Sequence, residues 1–293
     1  MMRIRVFLTL AILSIVFGGT VFAQAGTLDN IYSSKTLKVG VNPLFEPFSF
    51  EQDGQRVGVD IDIAQELADK LGVELELVVP DNFSDLIPML QKGDIDIIMA
   101  GMSITFDRAK VIDFSDSYFD TGISILLNKV SSSPLGLGSV KDLAEFQSVL
   151  NQNNNEDKLI IAVTKGKAPE KAAASLFPKA TIKSYASNEE AALATLNGEA
   201  HIMMHDEIFL KLFVKNNAGL TRFKAFVLNP PIKADAYGIA VRKSNQDFVN
   251  LLNVFIRELN YEGGSNKYLG QYLPVKSNIV IRSIEIDDQD FGD

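Results

Sequence analysis

The chain has 293 residues, a formal charge of −9 at pH 7 and no cysteine. That length fits one large domain or two lobes of ordinary size. The missing cysteine excludes disulfides, thiolate metal sites, a cysteine nucleophile and lipid attachment through an N-terminal cysteine, and the acidic surplus opposes nucleic acid and anionic lipid as partners.

Arg3 and Arg5 precede an apolar run over residues 6–18, and small residues follow at Ala23 and Ala25. This pattern reads as a secretory signal peptide over residues 1–25, cleaved after Ala23 or Ala25. The run is short for a bilayer span of about 20 residues. A mature chain without a lipid anchor is expected free in a periplasm, where an outer membrane retains it.

Residues 36–41 alternate as a strand. Pro43 and Pro47 then break the ladder, so residues 42–50 form a loop that leaves the sheet edge, and two of its three aromatics, Phe45, Phe48 and Phe50, are expected in the core. Gln52-Asp53-Gly54-Gln55 reads as a hairpin turn. From Asp60 onward Ile63, Ala64, Leu67, Ala68 and Leu71 recur at helical spacing. Asp60 is the expected N-cap, Asp62 and Glu66 suit the positive end of the helix dipole, Lys70 suits the negative end and Gly72 is a left-handed stop.

A second strand is expected over 74–79, then a helix with Phe83, Leu86, Ile87 and Leu90 on one face, ending at Lys92-Gly93. Residues 94–100 read as a third, buried strand. Strands alternating with helices argue for a parallel α/β sheet, whose ligands sit beyond the carboxyl ends of the strands. The loop after Ala100 is therefore where a ligand is expected. It offers Gly101 for close backbone approach, the hydroxyls of Ser103 and Thr105, and in Arg108 a planar fork for a carboxylate. On the residues alone, the simplest reading of Arg108 is a surface pair with Asp107 or Asp113.

Residues 122–128 read as a strand, with a first crossing between lobes near 123–130. A helix begins at 139–143, and residues 152–157 look like a polar, solvated loop inserted before the strand at 159–163. Next, Gly166 lies in a loop that opens a helix with Pro169 in its first turn, an arrangement that makes an anion site from backbone amides. It lacks the spacing of a phosphate loop. Residues 187–198 form a capped helix. His201, His205 and Asp206 follow on a strand, where His spacing of four is not a metal motif, so no metal is expected. Later come a strand at 223–228, a stiff Pro230-Pro231 turn, a strand at 236–241, a helix with Phe248, Leu251, Leu252, Phe255, Ile256 and Leu259 on one face, and a last helix after Gly263-Gly264. Residues 277–293 could add an edge strand, although their acidic finish suits disorder.

Several of these stretches, taken together, resemble the bacterial extracellular solute-binding proteins of family 3, the amino-acid-binding class. They are the run 57–72, the segment Gly101-Met102-Ser103-Ile104-Thr105 with Arg108 and then Phe114-Ser115, the turn at 166–168, the pair His205-Asp206 and the return stretch at 236–241. The resemblance spans residues 35–275. It implies an α/β, two-lobed periplasmic binding protein fold of type II, each lobe a mostly parallel sheet flanked by helices, joined by two crossing hinge strands. Lobe 1 would comprise 26–124 and 236–276, lobe 2 would comprise 125–235, and 277–293 would be a C-terminal extension.

The same resemblance implies roles. Arg108 and the amides of Ser103 and Ala168 would hold an amino acid's carboxylate; Asp206, the Gly101 carbonyl and the Ser103 hydroxyl would hold its ammonium. Ala168 stands where relatives often carry Thr or Gly. Phe45 would lie against the ligand side chain, His205 would line the pocket and His201 would be structural. Physics gives the same demand: burying a zwitterion unpaired is costly, so a cleft needs a fixed cation and a fixed anion on its walls. With these groups divided between lobes, binding drives closure. A monomer delivering its cargo to an ABC permease is expected, without catalytic residues or cofactor.

Asn42 stands where relatives that prefer basic or amide side chains often carry Asp, so a polar, uncharged amino acid near Phe45 and Phe83 is the expectation. Lys165 or Lys167, if turned into the cleft, would favour an acidic one. Alternatives are a dehydratase acting on cyclic precursors of phenylalanine, with His205 or Glu207 as general acid, and a ligand-sensing module.

Overall fold

The computed structural model describes residues 26–272; the expected leader (1–25) and extension (277–293) lie outside them. The first stretch runs α1 (Thr27–Ser34), β1 (Thr36–Gly40), β2 (Phe50–Gln52), β3 (Gln55–Val57), α2 (Val59–Leu71), β4 (Glu74–Val78), α3 (Leu86–Lys92), β5 (Ile97–Ile98), α4 (Phe106–Ala109) and β6 (Ile112–Asn128). The second runs α5 (Leu143–Asn153), β7 (Ile160–Thr164), α6 (Ala168–Leu176), β8 (Thr181–Tyr185), α7 (Asn188–Leu196), β9 (Ile202–Asp206), α8 (Glu207–Asn216), α9 (Ala218–Thr221) and β10 (Ala225–Val227). The chain then returns through β11 (Lys233–Arg242), α10 (Gln246–Tyr261) and α11 (Asn266–Tyr272).

In the first lobe β1 pairs in parallel with β4 and β5. In the second, β7 pairs in parallel with β8 and β9. The long strand β6 and the returning β11 run antiparallel between them, from Arg242 against Ile112 to Lys233 against Ile123. On its other edge β6 pairs with β9, from Ile123 against Asp206 to Leu127 against Ile202, and beyond the end of β11 it also pairs with β10, from Leu126 against Val227 to Asn128 against Ala225. Because β6 is shared, the strands form one continuous path, β4-β1-β5-β11-β6-β9-β7-β8. The fold is thus two-lobed, with two crossing strands as its only continuous sheet connection among the described residues.

Local expectations differ in a few places. Helix α2 is capped by Gly58, not Asp60. Position 58 has φ 133°, and a Cβ there would lie 2.2 Å from the Phe48 carbonyl oxygen, so only glycine admits this close entry. Asp60 is instead inside the first turn, fully buried, and accepts the Tyr118 hydroxyl at 2.7 Å. The third strand is shortened to Ile97–Ile98, because the Asp96 carboxylate takes the Lys38 amide at 3.0 Å in place of a ladder carbonyl. Strand β6 begins at Ile112, well before the expected 122, and β11 begins at Lys233, before the expected 236. Helix α5 continues through Gln152 and Asn153, so the first third of the expected loop is its last turn. Asn153 and Asn155 both donate to the Leu135 carbonyl at 3.3 Å.

The cores follow the lobes. Leu86, Ile95 and Ile98 pack under one face of the first lobe, and Phe146, Ile125, Ile161 and Met204 pack in the second. A third cluster passes through Phe48, Phe119 and Phe209 between them. Helix α11 closes over α2, where the Tyr272 hydroxyl donates to Asp62 at 2.7 Å and Tyr268 donates to Glu66.

Candidate functional site

Beyond the ends of the central strands, the two lobes face each other across a cavity of about 20 Å³. Its first wall is built from the loop after β5. Gly101 has φ 56°, and a Cβ there would fall 2.5 Å from a Phe45 ring carbon, so the backbone can approach the aromatic only as glycine. Ser103 bridges to Tyr237 through the amides of Ile104 and Gly238, an arrangement that leaves the Ser103 amide out of the ladder. Its hydroxyl donates to Asp235 Oδ2 at 2.7 Å.

Thr105 caps α4 and thereby holds Arg108 beside this loop. Arg108 is not a surface ion-pair residue. Asp107 pairs with Lys110 and Lys171, and Asp113 with Lys243. The Arg108 guanidinium instead turns inward, donating to the Ser103 carbonyl at 2.9 Å and, across the cleft, to the Gly166 carbonyl at 3.1 Å. It lies 5.5 Å from the Phe83 ring centre. Burial lowers its pKa to about 10, which still leaves it charged at neutral pH.

The second wall carries Ala168, the first residue of α6, whose amide has no intrahelical partner and lies at the end of the helix dipole that favours an anion; Pro169 has no N–H, and the Glu170 amide donates to the Lys167 carbonyl at 3.1 Å. Asp206 ends β9 and caps α8. Its Oδ1 accepts the amides of Ile208 at 2.8 Å and Phe209 at 3.2 Å, and its Oδ2 accepts the hydroxyls of Thr121 at 2.5 Å and Tyr237 at 2.6 Å. Burial pushes its carboxyl up to about 6 while these donors pull the other way. His205 is fully enclosed; its Nε2 meets Asn188 Oδ1 at 3.0 Å, which assigns the proton to Nε2 and leaves Nδ1 as an acceptor with no partner. Burial holds its pKa well below the usual imidazole value, so the ring is neutral.

Phe45, Phe83, Gly101, Ser103, Arg108, Ala168, His205 and Asp206 all line this cavity. Asn42 does not. It donates to the Ala100 carbonyl at 3.2 Å and accepts the Leu44 amide at 3.3 Å, so its side chain braces the loop at the end of β1. His201 accepts the Ile160 amide at 2.9 Å and is structural. Glu207 is tied to Lys211 at 2.7 Å and lines none of the cavity.

Four further residues line the cavity: Pro169 beside Ala168, Asp235 and Tyr237 on β11, which sequence reasoning did not assign, and Lys167, which of the two lysines considered is the one that turns inward. Tyr237 belongs to the return stretch, so position alone could have flagged it. Asp235 lies 132 residues from the Ser103 it contacts, and no local pattern marks it.

Two lobes on a pair of crossing strands, with a guanidinium on one wall and a carboxylate on the other, define a hinged ligand-binding protein of the type II periplasmic fold. Residues 37–275 match the bacterial extracellular solute-binding proteins, family 3, and the chain belongs to that family. It is 33% identical over 216 residues to the ABC transporter glutamine-binding protein GlnH of Bacillus subtilis (strain 168), covering 72% of this chain and 70% of that protein. It is 30% identical over 204 residues to a cyclohexadienyl dehydratase of Pseudomonas aeruginosa, covering 69% of this chain and 71% of that one. Among solved structures, an ancestral amino acid-binding protein described as a precursor of cyclohexadienyl dehydratase superposes with a TM-score of 0.71 at 31% identity, covering 85% of this chain and 100% of its own.

Proposed function

We propose that this protein captures an amino acid between its lobes and presents it to an ABC permease. The observation that carries the reading is the cavity lined by Arg108, by Ala168 at the α6 N-terminus, and by Asp206 and Asp235, a donor set and an acceptor set complementary to the two ends of a zwitterion. Arg108 and the amides of Ser103 and Ala168 take the carboxylate. Asp206, the Gly101 carbonyl and the Ser103 hydroxyl take the ammonium. Each Asp206 oxygen already has two donors, whereas Asp235 accepts only Ser103 and the Ala236 amide, so Asp235 adds the acceptor capacity that the ammonium needs.

A periplasmic address reached through a cleaved signal at 1–25, an unlipidated monomer, and lobe boundaries at 124/125 and 235/236 complete the proposal. Supporting it, no described helix is long and apolar enough to cross a membrane. A thermal-shift screen of the twenty amino acids tests the function, since a ligand bound only to the folded state raises its apparent stability. Arg108→Ala is expected to abolish the response by calorimetry while the protein stays folded. Undiminished affinity would remove the assignment.

The dehydratase relative keeps a second reading open to assay. A dehydratase needs a proton donor aimed into the cleft. Glu207 is outside it and His205 is neutral with its proton directed at Asn188, which favours a binding protein. Release of phenylpyruvate from prephenate by the purified chain would reverse that choice.

A further inference from the structure

Lys167, the N-cap of α6, sends its side chain into the cavity rather than to solvent. Its ammonium stands 4.4 Å from the Phe45 ring centre and 5.2 Å from that of Phe83, between the two aromatics expected to flank a ligand's side chain. The residue is 8% exposed, and Nζ has no hydrogen-bond partner. Lys165, its neighbour on the same turn, is exposed. A lysine offers three donors and no acceptor, and a buried ammonium without a counter-charge is among the costliest arrangements a fold can hold.

We propose that Lys167 sets the preference of this site, selecting an amino acid with an acidic side chain whose carboxylate pairs with the lysine between Phe45 and Phe83. The proposal rests on the amino-acid-capture reading above and adds to it the class of side chain.

Three observations separate this class from the others. Two cations, Arg108 and Lys167, already face the cavity, so a basic side chain in the same slot meets like charge. The acids nearest in effect, Glu189 and Asp206, do not hydrogen-bond Nζ; Asp206 is filled by its own donors, and Asn42, which could have placed a carboxylate here, is neutral and turned to backbone. An amide side chain would answer His205 Nδ1, the orphan acceptor among the residues lining the cavity, but would leave the Lys167 ammonium without a hydrogen-bonded counter-ion, and an unpaired buried charge costs more than an unpaired neutral acceptor. Burial lowers the Lys167 pKa to about 7; an arriving carboxylate restores the charged form.

Calorimetric titration of the full chain with L-glutamate, L-aspartate, L-glutamine and L-arginine at pH 7 tests this. An acidic amino acid is expected to bind at least tenfold more tightly than glutamine or arginine. Lys167→Met, which keeps the stem and removes the charge, is expected to reduce that ratio at least tenfold, and Lys167→Arg to preserve it. Thermal unfolding of both variants is run alongside to confirm that they fold. Tighter binding of glutamine, arginine or any other amino acid without an acidic side chain overturns the inference and leaves amino-acid capture standing. A ratio unmoved in Lys167→Met also overturns it. No response to any of the twenty amino acids overturns the underlying reading as well.

Discussion

Asp60 shows how a single buried carboxyl couples the ligand loop to the core. It accepts the Tyr118 hydroxyl, which in turn accepts the Gly101 amide at 3.3 Å, so the glycine of the ligand wall rests on a buried acid. Burial raises its pKa from 3.8 to about 7 against those hydrogen bonds, and its Oδ2 has no partner. The folded state therefore holds this proton more tightly than the unfolded chain. The stability it contributes is fully present below 3.8 and is lost as pH rises through about 7. Asp60→Asn keeps the acceptor for Tyr118 but cannot ionise. Denaturant melts at pH 4 and pH 8 should show the wild type losing up to about 4 kcal/mol more than the variant; parallel pH profiles would refute the assignment.

The other residue-scale prediction concerns Asp235. Replacing it with Asn preserves hydrogen bonding to Ser103 and the Ala236 amide but removes a negative charge from the cavity. Amino-acid affinity should fall by about 2 kcal/mol, roughly thirtyfold, without loss of folding. Affinity within twofold of wild type would leave the ammonium to Asp206 alone.

At the scale of elements, short-range chemistry explains most boundaries. Ser187 accepts the Glu190 amide, and Glu190 reaches back to the Ser187 amide, a reciprocal cap at the start of α7. That helix carries Asn188, which orients His205, so the cap supports the pocket through one intermediate. Ser187→Ala should cost about 1 kcal/mol of stability in urea melts. Gly72 and Gly93 stop α2 and α3 in the left-handed region, as their positions in the sequence suggest. The misreadings are also local in origin. Asp60 has cap chemistry, but the close packing of Gly58 on Phe48 moves the helix start upstream and buries the acid. The polar residues 152 and 153 look like loop, yet helix propensity carries α5 through them to Asn154 in the left-handed region.

For the whole molecule, the feature that matters is that the walls meet. Arg108 reaches the Gly166 carbonyl, Asn188 reaches the Leu44 carbonyl at 3.4 Å, and Lys171 pairs with Asp107 at 2.9 Å, each across the cleft. An amino acid is far larger than a cavity of about 20 Å³, so entry requires the lobes to separate on β6 and β11. A Cβ on Gly166, at φ 76°, would stand 3.2 Å from that of Ser84, slightly inside the Cβ spacing of about 3.5–4.5 Å in a disulfide, so a bridge there needs a small shift of backbone, and the native chain has no cysteine to interfere. A Ser84→Cys, Gly166→Cys double variant should lose ligand association when oxidised and regain it with reductant. Equal association in both redox states would argue against hinge opening as the route of entry.

The amino-acid sequence by itself determined the alternation of strands and helices and most of the caps, because those depend on spacing within a few turns of chain; the ligand role of Gly101, Ser103 and Arg108 came from the resemblance to the family's segment, since the residues alone read Arg108 as a surface pair. The same resemblance marked Ala168 and Asp206 as candidates. Only the tertiary structure decided which of these face one another, because the two walls meet through β6 and β11, whose pairing joins residues more than a hundred positions apart. The same long-range pairing brought Asp235 and Tyr237 to the cavity, while the Ala100 carbonyl holds the Asn42 side chain away from it. The direction of Lys167 was likewise a tertiary matter, since its side chain lies against Phe45 and Phe83 across the gap, residues far from it in sequence.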